Sequence, residues 1–235
     1  MSVTTKTIDY EQGGQTYEGY LAMPAGTPKA VIVVAHAWGG LSDFEREKAE
    51  LLTSWGYAAF AMDVYGKGKR GETNEESQAL MEPLASNREA LQNRLELGLA
   101  TAKSESGVSA AAAIGFCFGG LSVLDMARTN MEVEGVVSFH GLLSAPGNTG
   151  DNKIKAKLLV LHGWDDPMAT PDDVMTFSKE VSAANADWQL HAYGRAMHAF
   201  TNPGAQMPNL GMQYSAEADR RSFAACKDFL GELFG

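Results

Sequence analysis

Cysteine is scarce: Cys117 and Cys226 are the two in 235 residues. So few thiols cannot build a disulfide framework or a four-thiolate zinc site. Positive charge is also short, with 19 Lys and Arg against 29 Asp and Glu, a formal net charge of −10. A general nucleic-acid binder needs clustered cations to neutralise phosphates, and an anionic membrane surface repels such a chain. No stretch reaches the roughly 20 apolar residues of a membrane span. The start, Met1 to Lys6, has no apolar signal core. Proline is sparse at eight, and repeats, linkers and low-complexity tracts are missing. With 45% hydrophobic and 20% charged residues, the rest is ordinary globular composition. The expectation is one domain over residues 1–235, soluble and cytoplasmic, with no nucleic-acid or membrane partner. A homodimer is left open.

What is present is alternation. Val3–Tyr10 and Thr16–Leu21 flank Gly13-Gly14 and read as a hairpin. Ala30–Ala35 is a continuous β-branched run of the kind buried on both faces in a parallel sheet. Similar runs recur at Ala58–Met62, Ala111–Phe116, Gly135–Phe139 and Leu158–Leu161, with a weaker one at Trp188–Tyr193. Helical patterns lie between them. Ser42 with Glu45, Thr73 with Glu76, Ser86 with Glu89, and Thr170-Pro171 with Asp173 mark helix starts, and Pro83 interrupts the second. Phe223, Cys226, Leu230 and Leu233 form a closing apolar stripe. The fold class this predicts is α/β: a mostly parallel, doubly wound sheet with helices on both faces.

Gly115-Phe116-Cys117-Phe118-Gly119-Gly120 follows one apolar strand and precedes a helical pattern. That is the strand–sharp turn–helix setting of a nucleophile elbow, with cysteine in the nucleophile's place. Small neighbours are needed because the turn is strained, and a helix N-terminus favours a thiolate and can bind an oxyanion. His162-Gly163-Trp164-Asp165-Asp166-Pro167 follows a later strand, where open α/β sheets place their sites. Ala196-Met197-His198-Ala199-Phe200 follows the last strand-like run. Nucleophile, acid and base thus occur in the α/β-hydrolase order, each just after a strand.

These three segments, together with Tyr57–Tyr65, resemble the dienelactone hydrolase family from about Gly19 to the C-terminus. The resemblance implies a triad of Cys117, Asp166 and His198, with Asp166 rather than Asp165 because it lies three residues after Gly163. It also implies that the backbone N–H groups of Phe118 and Trp38 hold the oxyanion. A family glutamate that contacts the thiol corresponds here to Ala37. The family's serine and arginine that hold a substrate carboxylate correspond to Ala199 and Asn202. Without that arginine the bidentate carboxylate clamp is missing. Trp38, Trp164 and Phe200, with Ala37, Ala199 and Asn202, are the expected pocket residues. The implied activity is hydrolysis of activated esters or lactones through a thioester, with no metal or other cofactor. The sequence also resembles a metal-free part of the family with promiscuous phosphotriesterase activity, which extends the partners to apolar phosphotriesters.

Other readings are carried alongside. Gly66-Lys67-Gly68-Lys69-Arg70-Gly71 matches the dinucleotide fingerprint in letters, but its cations suit a solvated loop. His36, His140, His162, His191 and His198 show no zinc spacing. A non-catalytic ligand-binding scaffold and a redox role for Cys117 are the readings from other classes, the latter lacking an adjacent resolving cysteine. The loops 66–86 and 202–214 cannot be folded from pattern alone.

Overall fold

The computed structural model describes residues 3–150 and 152–235. Its eight long strands belong to one mostly parallel sheet interleaved with helices, the α/β class that the alternation predicts. The chain divides into two compact units, Met1–Ile114 and Gly115–Gly235.

In the first unit, β1 (Thr4–Gln12) and β2 (Gln15–Met23) form an antiparallel hairpin. Gly13 and Gly14 both have positive φ, as a two-residue turn of matching twist demands. β2 pairs antiparallel with β4 (Ala58–Met62), and β4 pairs parallel with β3 (Val31–Ala35). Every residue of β3 and β4 is buried, which is why both read as unbroken apolar runs. α1 (Asp43–Thr53) starts at the Ser42/Glu45 capping box and α2 (Asn74–Ser86) at the Thr73/Glu76 box.

Two expectations need correction here. Pro83 does not interrupt α2; it sits near the helix end, where one lost N–H breaks little of the ladder. The cap of α3 (Arg88–Ser106) is Asn87, not Ser86, and its side chain accepts from the Ala90 N–H at 3.1 Å. α3 buries the predicted Leu91, Leu95 and Leu99. The Gly66–Gly71 segment is a loop that opens no helix, so the phosphate-cradling geometry of the dinucleotide fingerprint is missing.

β5 (Ala111–Phe116) runs across the boundary between the units. Beyond it come α4 (Phe118–Arg128), β6 (Gly135–Phe139), β7 (Lys157–Gly163), α5 (Pro171–Ala183) and β8 (Trp188–Tyr193). β6, β7 and β8 pair in parallel in that order. A two-residue pair, β9 (Gln206–Met207) and β10 (Met212–Gln213), precedes α6 (Ala216–Phe234). α6 turns Cys226, Phe229 and Leu230 inward. It lies so close to β6 that a Cβ on Gly135 would stand 2.7 Å from Leu233 Cδ1. Cys226 is fully buried, and burial pushes its thiol well above the ordinary range, which makes it inert core.

Arg128 closes α4 against α5. Its Nε and Nη2 grip both Glu180 oxygens at 2.8 Å, while the remaining N–H groups go to Leu143 O, Ser144 O and Asp125. All five donors of the guanidinium are used. A cavity of about 340 Å³ beside it is lined by Arg128, Asn152, Lys153 and Glu180 and contains no residue of the predicted site.

Candidate active site

The second unit holds Cys117, Asp166 and His198. Cys117 ends β5 and caps α4 with φ 55° and ψ −114°, a backbone region that side chains other than glycine avoid. Its N–H donates to Phe139 O at 3.1 Å, and its carbonyl accepts from Leu121 N–H at 3.2 Å. The turn is tight because Gly115 lets the helix return: a Cβ there would stand 2.0 Å from Gly119 O. Among the described residues, every α-helix except α4 has an acidic residue in its first turn. The partial positive charge at the start of α4 is therefore left for the thiol and whatever binds beside it.

Asp166 lies in the loop after β7 and is buried, whereas Asp165 is exposed. Its Oδ1 accepts the Met168 N–H at 2.8 Å, and its Oδ2 lies 2.7 Å from His198 Nδ1. The two loops meet because Gly163 has no side chain; a Cβ there would be 2.6 Å from Met197 O. His198 is held by its backbone as well: its N–H donates to Gly211 O, and its carbonyl accepts from Gln213 N–H.

The imidazole of His198 is 1% exposed. Burial lowers its pKa, but the charge of Cys117, the hydrogen bond to Asp166, and an interaction with the Cys117 sulfur outweigh it, raising His198 well above its ordinary 6.5. Nδ1–H therefore donates to Asp166, while Nε2 is buried with no nitrogen or oxygen partner among the described residues. Two further buried histidines adjoin. His140 is held neutral, well below 6.5, first by burial and then by the charge of His198. His162 is lowered mainly by burial, with Asp166 acting against it. The arrangement can keep a thiolate beside an imidazolium and shuttle a proton through Nε2.

The expected pocket residues fall in different settings. Ala37 and Trp38 belong to the first unit, half-buried in the loop after β3. That loop is fixed by Tyr65 Oη donating to Trp38 O at 2.9 Å and by Ala37 N–H donating to Glu45 at 3.2 Å. Trp164 is 45% exposed. Ala199 has φ 57°, the price of turning the chain straight after His198. Phe200 has no exposed face; it is fully buried, edge-on to His140 and to Tyr193, and is core rather than pocket wall. Asn202 is an exposed turn residue whose Oδ1 accepts the Gly204 N–H at 2.8 Å. Sequence reasoning missed His140, Thr201 and the β9–β10 pair. The one available signal was a histidine followed by glycine directly after the apolar run Gly135–Phe139. Among the described residues no helix is long and apolar enough to cross a membrane.

Comparison with known proteins points one way. The sequence profile of the dienelactone hydrolase family matches residues 17–234. An uncharacterised protein of Caenorhabditis elegans is 37% identical over 153 residues, 61% of this chain and 94% of that one. The carboxymethylenebutenolidase of Pseudomonas putida is 26% identical over 194 residues, covering 80% of this chain and 81% of its own. Among solved structures, a dienelactone hydrolase-like promiscuous phosphotriesterase from metagenomic libraries is 30% identical, covers 100% of both chains and superposes with a TM-score of 0.93.

Proposed function

The chain belongs to the dienelactone hydrolase family and is a hydrolase acting on ester bonds; we propose that it cleaves activated carboxylic esters and lactones with Cys117 as nucleophile, His198 as acid and base, and Asp166 as orienter. The observation that carries this reading is the buried His198 Nδ1–Asp166 Oδ2 contact of 2.7 Å, on an imidazole whose protonated form the Cys117 charge favours. By reciprocity, a protonated His198 favours the thiolate.

In the proposed cycle the Cys117 thiolate attacks the acyl carbon, and the oxyanion takes a hydrogen bond from the backbone N–H of Phe118 at the start of α4. The carbon–oxygen bond to the leaving group then breaks as His198 donates its proton to the departing oxygen, leaving a thioester. Neutral His198 next takes a proton from water, the hydroxide attacks the thioester, and the thiolate departs with the acid product released. A thiolate leaves a tetrahedral intermediate more readily than an alkoxide, so the forward path needs a good competing leaving group. Phenols and enols meet that condition; alkyl alcohols and amines do not. Neither Ala199 nor Asn202 offers a cation for a substrate carboxylate, which favours uncharged substrates.

The full-length likeness to the promiscuous phosphotriesterase supports a second reaction by the same groups, attack at phosphorus with release of a phenol. One experiment ranks the two: hydrolysis of a p-nitrophenyl acyl ester and a p-nitrophenyl dialkyl phosphate by wild type and Cys117→Ala, with chelator present. The reading expects activity that is lost in the variant and indifferent to chelator. Turnover that survives Cys117→Ala would sink it. A folded wild type inert toward both substrates would favour a ligand-binding scaffold instead.

A further inference from the structure

His140 touches the segments that carry all three proposed triad members. Its position follows Phe139, whose carbonyl receives the Cys117 N–H at 3.1 Å. Its own N–H donates to Leu161 O at 2.8 Å, on the strand that leads to Asp166. Its ring lies edge-on to that of His198, with centroids 5.3 Å apart, and its Nε2 lies 2.8 Å from Thr201 Oγ1 on the loop that carries His198. Phe200 packs against the same ring at 5.0 Å, closing the cluster from the side. The backbone beside it is jammed on the start of α4: a Cβ on Gly141 would stand 2.8 Å from the Gly120 carbonyl carbon.

This placement is costly. His140 has φ 39°, a conformation that a side chain resists, and its Nδ1 is buried with no partner among the described residues. A phenylalanine would fill the same space without the unpaired nitrogen, but it would leave Thr201 Oγ1 without its 2.8 Å partner.

We infer that His140, locked by Thr201, is a positioning residue for His198: it fixes the ring plane of the base and supplies a polar neighbour to a buried imidazolium. The titratable groups acting on the base are then Cys117 and Asp166, which favour its charge, and His140 and His162, which burial keeps neutral beside it. Because His140 is polar yet uncharged, it solvates the imidazolium without repelling it. This inference rests on the proposed Cys117–His198–Asp166 chemistry.

The test compares His140→Phe, Thr201→Val, the double variant and Cys117→Ala with wild type, reading kcat, KM and the pH profile of kcat/KM on a p-nitrophenyl ester. A misoriented or poorly solvated base costs between about tenfold and a hundredfold in kcat, with KM little changed. The expected signature is that loss in both single variants, no further loss in the double variant, and an alkaline limb moved to lower pH in His140→Phe. Thr201→Val keeps the volume of the side chain and guards against a His140→Phe protein that fails to fold. Folded variants with the wild-type pH profile and kcat, or losses that multiply in the double variant, overturn the positioning role. Activity remaining in Cys117→Ala instead overturns the underlying mechanism, so the two failures are distinguishable.

Discussion

Each unit buries ionisable side chains, and the two treat them differently. In the first, Asp63 is 4% exposed and accepts from the N–H groups of Glu18, Tyr65 and Gly66. The Tyr10 hydroxyl completes the arrangement, donating to Asp63 O at 2.6 Å and accepting from Asp63 N–H at 2.9 Å. His36 is equally complete, with Nδ1–H donating to Ala37 O at 2.7 Å and Nε2 accepting the Val64 N–H at 3.3 Å. In the second unit, among the described residues, His140 leaves one ring nitrogen without a partner and His162 leaves both, while His198 Nε2 has no nitrogen or oxygen partner and interacts with the Cys117 sulfur. Satisfied buried groups hold a fold together; unsatisfied ones cost stability and are kept where chemistry needs an open donor or acceptor. Arg128 shows that the second unit is not simply loosely bonded, since its guanidinium uses every N–H. Among the described residues, the buried ring nitrogens that lack a nitrogen or oxygen partner belong to His140, His162 and His198.

The sharpest break between architecture and chemistry is expected at Cys117. Its φ of 55° suits glycine, so Cys117→Gly should unfold at the same temperature as wild type or higher while losing activity by at least about a thousandfold. Thermal unfolding and ester hydrolysis measured on one preparation check both halves. Asp166→Asn comes next. It leaves the shape of the side chain but upsets the Nδ1–H tautomer and the stabilisation of imidazolium, and kcat should fall on the order of a thousandfold or more.

Tyr10→Phe probes the satisfied side. It orphans a buried N–H and carbonyl of Asp63, and denaturant titration should show a loss of roughly 1–3 kcal/mol with turnover per folded molecule unchanged. If activity falls in step with stability, the contrast between the units is wrong.

A subtler effect concerns pH. His198 titrates above 6.5 in the folded chain, so its contribution to stability is full below the unfolded value near 6.5 and is lost as pH rises through the raised one. Cys117→Gly removes the strongest influence raising that value. Imidazole NMR titration should show His198 protonated above neutral pH in wild type and losing its proton at lower pH in the variant. Coincident titrations would contradict the thiolate–imidazolium pair.

Much of this was legible in the sequence for physical reasons. β3 and β4 announce themselves because a strand buried on both faces is apolar throughout, and β6 departs from that rule at Ser138 alone. The capping boxes at Ser42, Thr73 and Thr170 are local chemistry and sit where the pattern put them. Cys117, Asp166 and His198 stood out because each follows a strand. The boundary near Ser86 was misread because two adjacent polar residues can both cap, and only the turn geometry selects Asn87. The partnership of His140 with Thr201 spans 61 residues, and no local periodicity encodes it. The β9–β10 pair that holds the His198 backbone is two residues long, too short to carry an alternation. Asn202 was placed by family position and Phe200 by its aromatic character, and their surroundings, an exposed turn and a buried aromatic cluster, depend on tertiary folding.

The central claim is covalent catalysis by Cys117, and acid quenching during turnover of p-nitrophenyl acetate, followed by peptide mass spectrometry, tests it most directly. The account predicts an acetyl group on the peptide bearing Cys117, formed in wild type and absent in Cys117→Gly. Steady turnover with no acetylated cysteine, or with the acetyl group on another side chain, would contradict it.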